Sequence, residues 1–201
     1  MKYFLEENND IDISLSIDNY DMANIVYEAT GGETYEVNFY GIGGHAFGAF
    51  GEMAKPLHAA DRAVAKIADF VVPKEPKTSF CVSNIHGGND AGIHAIAPKA
   101  TIKFNFRSNS PEELDKLRDQ IFKAIEEACQ EETDKWGKDT ITWDKKIVSS
   151  IPGGTQDAHA PLVEAAYLGL SSLGVEPVFG RGGCTNANVA IAKGIPALCM
   201  G

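Results

Sequence analysis

The sequence lacks a long hydrophobic run, and none of its apolar stretches approaches the roughly 20 residues that a membrane-spanning helix needs. Its first residues, Met-Lys-Tyr-Phe-Leu-Glu-Glu, contain neither the apolar segment nor the small-residue cleavage site of a secretory signal. These absences predict a soluble chain that has no membrane partner and is cytoplasmic.

Positive charge is also scarce. The chain has 18 Lys and Arg against 28 Asp and Glu, which gives a formal charge of −10. Proteins hold nucleic acid mainly through clustered Lys and Arg, so we expect no nucleic-acid partner. Hydrophobic residues make up 44% of the chain and charged residues 23%, a composition that is typical of a packed globular protein and excludes a disordered one.

Cysteine and histidine are few, and neither type shows the spacing of a metal site. The cysteines are scattered through apolar surroundings, which predicts free thiols in a reducing compartment: Cys81, Cys129, Cys184 and Cys199. The histidines form no His-x-x-x-His or His-x-Asp pair: His45, His58, His86, His94 and His159.

The middle of the chain alternates between two kinds of periodicity. Alternating apolar and polar residues predict four strands, at 34–41, 79–85, 99–107 and 140–148. Helical spacing predicts one helix over 52–70 and a second after Ser110, a good N-cap followed by Pro111. The resulting order, βαββαβ, predicts a ferredoxin-like antiparallel sheet with both helices on one face.

The two ends of the chain have a different character, typical of α/β proteins. A strand is predicted over 11–18, and a helix over 160–173 is followed by a strand near Val178, a glycine-rich loop, another helix and a strand over 195–200. We therefore predict an α/β (α+β) fold in which a ferredoxin-like domain is inserted in an incomplete α/β domain. The expected division is 1–29, 30–150 and 151–201.

Two side chains stand in positions suited to chemistry. His45 follows the turn Gly41-Ile42-Gly43-Gly44, where it is either catalytic or a structural histidine that caps a helix. Arg107 ends a strand, where it either binds a carboxylate through its planar guanidinium or is a solvated edge residue.

Four separated segments stand out along the chain: Ser16-Ile17-Asp18; Gly43-Gly44-His45-Ala46; Ile93-His94-Ala95-Ile96-Ala97 through Phe106-Arg107-Ser108; and Gly183-Cys184-Thr185-Asn186-Ala187-Asn188 with Gly194-Ile195-Pro196. Together they resemble the M20 family of zinc-dependent metallopeptidases and amidohydrolases. Their order and their spread over nearly the whole chain make the resemblance specific.

The resemblance implies a catalytic domain with two zinc ions, interrupted by a lid that is also the dimerisation domain. It implies that Asp18 is a zinc ligand and that His45 donates a hydrogen bond to the oxyanion in the partner subunit's site. Arg107 corresponds to the arginine that grips the substrate carboxylate. The other implied substrate-binding residues are His94, which stands where many relatives have asparagine, and Thr185 and Asn188. Departures from the family pattern occur at Asn19, Cys184 and Asn186.

The family's His-x-Asp motif and Glu-Glu pair are expected upstream of Asp18, and a further histidine ligand downstream of Gly201. The resemblance therefore implies a fragment of a homodimeric enzyme that hydrolyses a peptide or acyl-amino-acid amide, inactive by itself and holding no zinc tightly. The alternatives are a non-catalytic ferredoxin-like dimerisation or regulatory module, or a stand-alone amino-acid-binding sensor. The sensor leaves Asp18 and the 183–201 segment without a role.

Overall fold

A computed structural model describes residues 2–8, 10–136 and 141–201. This part of the chain contains the helices α1 (Lys2–Glu7), α2 (Pro56–Ala68), α3 (Pro111–Trp136), α4 (Pro161–Ser172) and α5 (Ala187–Ala192). Its strands are β1 (Ser14–Ile17), β2 (Asn24–Val26), β3 (Gly31–Tyr40), β4 (Gly44–His45), β5 (Thr78–Gly87), β6 (Ala95–Ile96), β7 (Lys99–Ser108), β8 (Thr142–Ile151), β9 (Val178–Gly180) and β10 (Ala197–Met200). None of the described helices is both long enough and apolar enough to cross a membrane.

Four ten-residue strands form an antiparallel sheet in the spatial order β5-β7-β3-β8. The inner strand β3 pairs with β7 along its whole length, from Gly31 opposite Ser108 to Tyr40 opposite Lys99, and with β8 on its other side. This order confirms the ferredoxin-like βαββαβ arrangement. The residue at which the last strand was predicted to begin, 140, lies outside the described residues.

Helices α2 and α3 pack on one face of this sheet and form the main core with it. The buried positions of β3 alternate, with Tyr35, Val37 and Phe39 under the helices, and β7 contributes Ile102, Phe104 and Phe106. The predicted apolar stripe of α3 is buried throughout: Leu114, Leu117, Ile121, Ile125 and Ala128. Ser110 caps α3 as predicted, because its Oγ accepts a hydrogen bond of 3.2 Å from the backbone N–H of Glu113.

A second, mixed sheet is built from both ends of the chain in the order β1-β10-β2-β9. Strands β1 and β10 are parallel, β2 and β9 are parallel, and the two pairs meet antiparallel to each other. Helix α5 packs on the face that carries Val26 and Cys199, whereas α4 packs on the face that carries Ile25 and Leu198. Helices on both faces of a sheet are typical of α/β proteins, as the sequence predicts.

Two chain connections join the sheets, one entering β3 and the other leaving β8; we call them the hinge (residues 27–30 and 152–156). Ala29 and Gly154 exchange backbone hydrogen bonds of 2.9 and 3.0 Å. Gly31 and Gly153 touch so closely that a Cβ on Gly31 would lie 2.8 Å from the Gly153 nitrogen. Glycine is therefore required here. The exact domain bounds 1–29, 30–150 and 151–201 stay a prediction.

Several elements differ from the predicted ones. Helix α2 begins at Pro56 instead of residue 52, because proline has no N–H to donate and favours the first helical position. Strands β2, β4 and β6 are two or three residues long and were not predicted; β9 also has three residues, but a strand was predicted near Val178.

A fully buried acid joins α3 to the start of α2. Glu132 is 0% exposed and accepts hydrogen bonds from the Trp136 Nε1, the Arg62 Nε and the backbone N–H of Lys55, at 2.7, 3.2 and 3.2 Å. The Lys55 ammonium lies 3.1 Å from the centroid of the Trp136 ring, and burial lowers its pKa. A carboxylate with several charged or polar donors is stable in a core, but its donors are costly to leave unpaired.

We expect Glu132→Ala to lower the free energy of unfolding by about 3 kcal/mol, because it leaves these partly buried donors without an acceptor. Glu131→Ala is the matched control, since Glu131 is 46% exposed and its ion pair in the described part of the chain is with Lys66, so the loss should stay below about 1 kcal/mol. Urea unfolding followed by circular dichroism measures both. Equal losses in the two variants would contradict the role of the Glu132 cluster.

Candidate functional site

Arg107 lies at the hinge end of the antiparallel sheet, on the face opposite α2 and α3. It stands across from Gly32 on β3 and from Ser79 on β5. Because Gly32 has no side chain, the stem of Arg107 lies over it; a Cβ there would be 3.1 Å from the Arg107 Cγ. The Arg107 Nε donates to the Asn105 Oδ1 at 3.2 Å. The guanidinium is thus held along the strand while the side chain stays exposed.

The loop between β9 and α5 reaches Arg107 from the other sheet. The backbone N–H of Thr30, in the hinge, donates to the Gly183 carbonyl at 2.9 Å. The Cys184 thiol donates to the Thr30 carbonyl at 3.3 Å, and the Arg107 Nη1 lies 3.9 Å from the Cys184 Sγ. Two of the segments singled out in the sequence, 106–108 and 183–188, therefore meet across the hinge.

Asn188 is buried beneath this loop, with 1% of its surface exposed. Its Nδ2 donates to the carbonyls of Thr30 and Pro152 at 2.9 and 3.0 Å, and its Oδ1 accepts from the Thr185 N–H at 2.9 Å. The Thr185 hydroxyl accepts from the Ala187 N–H at 3.2 Å. In this structure Asn188 holds both hinge connections to the loop. Substrate binding by Thr185 and Asn188 stays a prediction.

These segments enclose a pocket of about 340 Å³, which we call the hinge pocket. It is open and mostly polar, and three of its lining side chains are cationic: Lys77, Arg107 and Arg181. The remaining lining residues are Thr30, Ser79, Asn109, Gly182, Gly183 and Cys184. Such a lining favours an anionic ligand.

His45 and His94 lie together at the other end of the antiparallel sheet. His45 is the last residue of β4, which pairs with β6 so that His45 stands opposite Ala95. The His94 carbonyl accepts from the Ala46 N–H at 2.7 Å, and the His45 Nδ1 accepts from the Gly48 N–H at 3.2 Å. Both histidines are exposed. We call residues 42–55 and 93–96, which include β4 and β6, the His45 arm.

The distance along the sheet separates this arm from Arg107. Arg107 is level with Gly32, whereas the arm begins beyond Tyr40, eight residues further along β3. Eight residues of extended strand span about 27 Å. His45 and Arg107 of one chain are therefore too far apart to contact the same peptide bond and its adjacent carboxylate.

Asp18 directly follows β1, at the carboxyl end of the parallel pair β1 and β10. Its backbone N–H donates to the Met200 carbonyl at 2.9 Å, and its side chain is exposed. Within residues 2–8, 10–136 and 141–201, no group of three or more His, Cys, Asp or Glu side chains could hold a metal ion. Since zinc requires three or four protein ligands, the residues present do not fit a zinc site by themselves.

Comparison with known proteins identifies the family. Residues 27–133 match the peptidase dimerisation domain of the M20 proteins, a range that covers most of the antiparallel sheet and both of its helices. The chain belongs to the M20 family of peptidases and amidohydrolases. A succinyl-diaminopimelate desuccinylase of Nitrosomonas europaea is 32% identical over 91 residues, which make up 43% of this chain and 23% of that enzyme.

Solved M20-type structures share the fold. An aminopeptidase PepT from Bacillus cereus superposes with a TM-score of 0.77 at 19% identity, over 94% of this chain and 48% of that one. A tripeptidase from Staphylococcus aureus superposes with a TM-score of 0.75 at 19% identity, over 96% and 49%. The M20 chain described here thus spans about half the length of these two structures and about a quarter of the desuccinylase.

Sequence reasoning missed two residues of the hinge pocket, Lys77 and Arg181. Both carried a usable signal. Lys77 lies two residues before the predicted strand 79–85, which pairs with the strand ending at Arg107, and Arg181 immediately precedes Gly182-Gly183. Hairpin register places the first next to Arg107, and the glycine-rich turn after β9 brings in the second.

We expect Asn188→Ala to lower the free energy of unfolding by about 2 kcal/mol, because the partly buried carbonyls of Thr30 and Pro152 lose the donor that Asn188 provides. Asn186→Ala is the control: Asn186 is exposed and makes no side-chain cap hydrogen bond. Chemical denaturation compares the two. If Asn188→Ala lowers the free energy of unfolding no more than Asn186→Ala does, Asn188 does not stabilise the hinge.

Proposed function

We propose that this chain is part of a hydrolase that cleaves a peptide or acyl-amino-acid amide bond. The observation that carries the proposal is the approach of Arg107, on the antiparallel sheet, to within 3.9 Å of the Cys184 side chain in the loop of the second sheet. A substrate held there touches both parts of the molecule. The family membership supplies the reaction class, hydrolysis, and the site supplies a means of holding one end of the substrate.

In this proposal Arg107 binds the substrate carboxylate. A guanidinium offers paired N–H donors that match the two oxygens of a carboxylate. Only the Nε and Nη1 of Arg107 have partners among the described residues, and the Nη1 contact is a long one to sulfur. The guanidinium therefore keeps donors for a ligand. The carboxylate fixes the position of the amide to be cleaved.

His45 serves the second subunit of a homodimer in this proposal. A positioned imidazole N–H can stabilise negative charge that develops on the amide oxygen during hydrolysis. The Nδ1 of His45 accepts from the Gly48 N–H, so in the neutral imidazole Nε2 carries the N–H that can be donated. Because about 27 Å of strand separates His45 from Arg107, one complete site needs Arg107 from one chain and His45 from another.

The His45 arm also has the surface of a docking element. It exposes large apolar side chains: Ile42 is 68% exposed, Phe47 90%, Phe50 70% and Ile93 79%. Exposed apolar clusters of this size mark interaction sites in soluble proteins. We infer that the arm packs against the partner subunit, next to the partner's hinge pocket, with His94 either facing that pocket or lying on the surface beside it.

Asp18 is the residue of this chain that the proposal assigns to zinc. This carboxylate is exposed at the end of β1 and is free to ligate a metal ion, but it is a single ligand. We propose that in a complete M20 enzyme two zinc ions supply the activated water and that Asp18 contributes one ligand. The protein is proposed to be cytoplasmic, because all four cysteines are free.

A non-catalytic dimerisation module is the second candidate. The absence of a metal-binding group among the described residues favours it, as does the match of the family's dimerisation domain to residues 27–133. It assigns no role to the contact between Arg107 and Cys184 or to the cationic hinge pocket. Binding of a substrate-like carboxylate at that pocket discriminates the two candidates.

We expect the 201-residue chain to hydrolyse no peptide in the presence of zinc and to bind zinc at well below one ion per chain, since one carboxylate cannot replace three or four ligands. Equilibrium dialysis with metal analysis and a peptide-hydrolysis assay measure this. Asp18→Asn should behave like the unmodified chain in both. One tightly bound zinc that disappears in Asp18→Asn, together with turnover, would contradict the expectation.

We expect the chain to form dimers in sedimentation equilibrium, and Phe47→Ser to weaken them by about tenfold or more, because the His45 arm loses a large apolar contact. Tyr20→Ser is the control, since Tyr20 is equally exposed but lies outside the arm. A monomer at high protein concentration would overturn the homodimer. An equal effect of Tyr20→Ser would show that association does not involve the arm.

A further inference from the structure

The hinge pocket carries more positive charge than one substrate carboxylate needs. Three of its nine lining residues are cationic and none is acidic, although the whole chain has a formal charge of −10. Three like charges around one cavity repel one another. Such an arrangement becomes favourable only when anionic groups of a ligand lie between the charges. One carboxylate bound by Arg107 leaves Lys77 and Arg181 without a ligand group.

Lys77 is the cation whose charge is least satisfied. It is exposed, and its side chain has no hydrogen bond or ion pair among residues 2–8, 10–136 and 141–201. Its backbone is nevertheless fixed, because the Lys77 carbonyl accepts a hydrogen bond of 3.0 Å from the Asn109 N–H at the end of β7. The Lys77 side chain therefore extends from a fixed backbone position beside Arg107.

Arg181 is partly satisfied on one side. Its Nε donates to the Tyr27 hydroxyl at 3.2 Å and lies 3.9 Å from the Glu28 Oε1. Both contacts use Nε, and the two terminal nitrogens have no partner in the described part of the chain. Glu28 and Glu75 reduce the local positive charge on this side, so Arg181 is the weaker of the two additional cations.

The loop backbone that carries Arg181 is built to stay close to the hinge. Gly182 has a φ of +81°, and a Cβ there would lie 2.5 Å from the Thr30 Oγ1 and 2.7 Å from the Asn109 Oδ1. Thr30 and Asn109 are themselves joined by a hydrogen bond of 2.7 Å. Only glycine permits this approach, which keeps Arg181 on the same cavity as Arg107 and Lys77.

We propose that the hinge pocket selects substrates with two anionic groups, a carboxylate bound by Arg107 and a second one bound by Lys77 with Arg181. This inference rests on the proposed function for the Arg107 contact and adds the substrate class: a peptide or acyl-amino acid whose carboxylate-bearing residue is acidic. Lys77 is then a specificity-determining residue. The pocket volume of about 340 Å³ accommodates one such residue.

The test uses two ligands that differ by one charge at nearly constant shape, N-acetyl-L-glutamate and N-acetyl-L-glutamine. Each is titrated into the 201-residue chain by isothermal calorimetry at low ionic strength, where exposed charges are least screened. We expect the glutamate derivative to bind about tenfold more tightly, the ratio produced by one additional charge-assisted hydrogen bond. Lys77→Gln should remove most of this ratio. Lys74→Gln, three residues earlier and outside the pocket, should preserve it.

Arg107→Gln separates this inference from the proposed function. Suppose that the unmodified chain binds the two ligands equally and that Arg107→Gln binds neither. This result would overturn the proposed second anionic group but would support the contact between Arg107 and the substrate carboxylate. Binding of both ligands unchanged in Arg107→Gln would overturn the carboxylate contact itself. A glutamate preference that survives in Lys77→Gln would show that Lys77 does not determine specificity.

Discussion

The unbroken pairing of β3 with β7 determines where each candidate functional residue lies. The two strands are paired from Gly31 to Tyr40, and this places Arg107 at one end of the sheet and the His45 arm beyond the other. A paired strand in the middle of a sheet cannot shorten without breaking its hydrogen bonds and moving its side chains to the wrong face. The separation between Arg107 and His45 is therefore a rigid property of the fold. In the proposed function, this separation is the reason that a complete site needs a second chain.

The hinge is the other constraint, because the hinge pocket exists only where the two sheets meet. Paired glycines allow the connections to touch, and Asn188 ties both of them to the loop that carries Cys184. Residues 183–188, which the family resemblance groups as a substrate loop, therefore have different roles in the structure. Asn188 makes its side-chain hydrogen bonds to backbone groups of the hinge and the loop, whereas Cys184 lines the cavity. A loop held this firmly can keep Arg181 on the same cavity as Lys77 and Arg107, although the three cations repel one another.

Much of the fold was predictable because its signals are periodic. The long strands alternate, α3 has a regular apolar stripe, and Ser110 marks where that helix begins. The α/β character of the two ends was also predictable, as was the resemblance to M20 proteins. The two- and three-residue strands β2, β4 and β6 were not predicted, and Pro56, rather than the apolar pattern, decides where α2 begins.

The candidate site was only partly predictable, for a physical reason. Lys77 and Arg181 are far apart in the chain and become neighbours only through strand register and a glycine turn. Glu132 shows the same limitation: it and Glu131 are identical in type and adjacent in sequence, yet one is fully buried and the other exposed. Their positions on α3, rather than their residue type, determine how exposed each side chain is.

The central claim is that one active site combines Arg107 of one chain with His45 of its partner. It is tested most directly by complementation in a catalytically complete dimer that contains this chain. His45→Ala and Arg107→Ala subunits, each impaired as a homodimer, are coexpressed with different affinity tags, and the mixed dimer is purified. The account predicts recovered activity, because one of the two sites then has an intact Arg107 and an intact partner His45. A mixed dimer as impaired as both parents would show that the two residues serve the same subunit and would contradict the account.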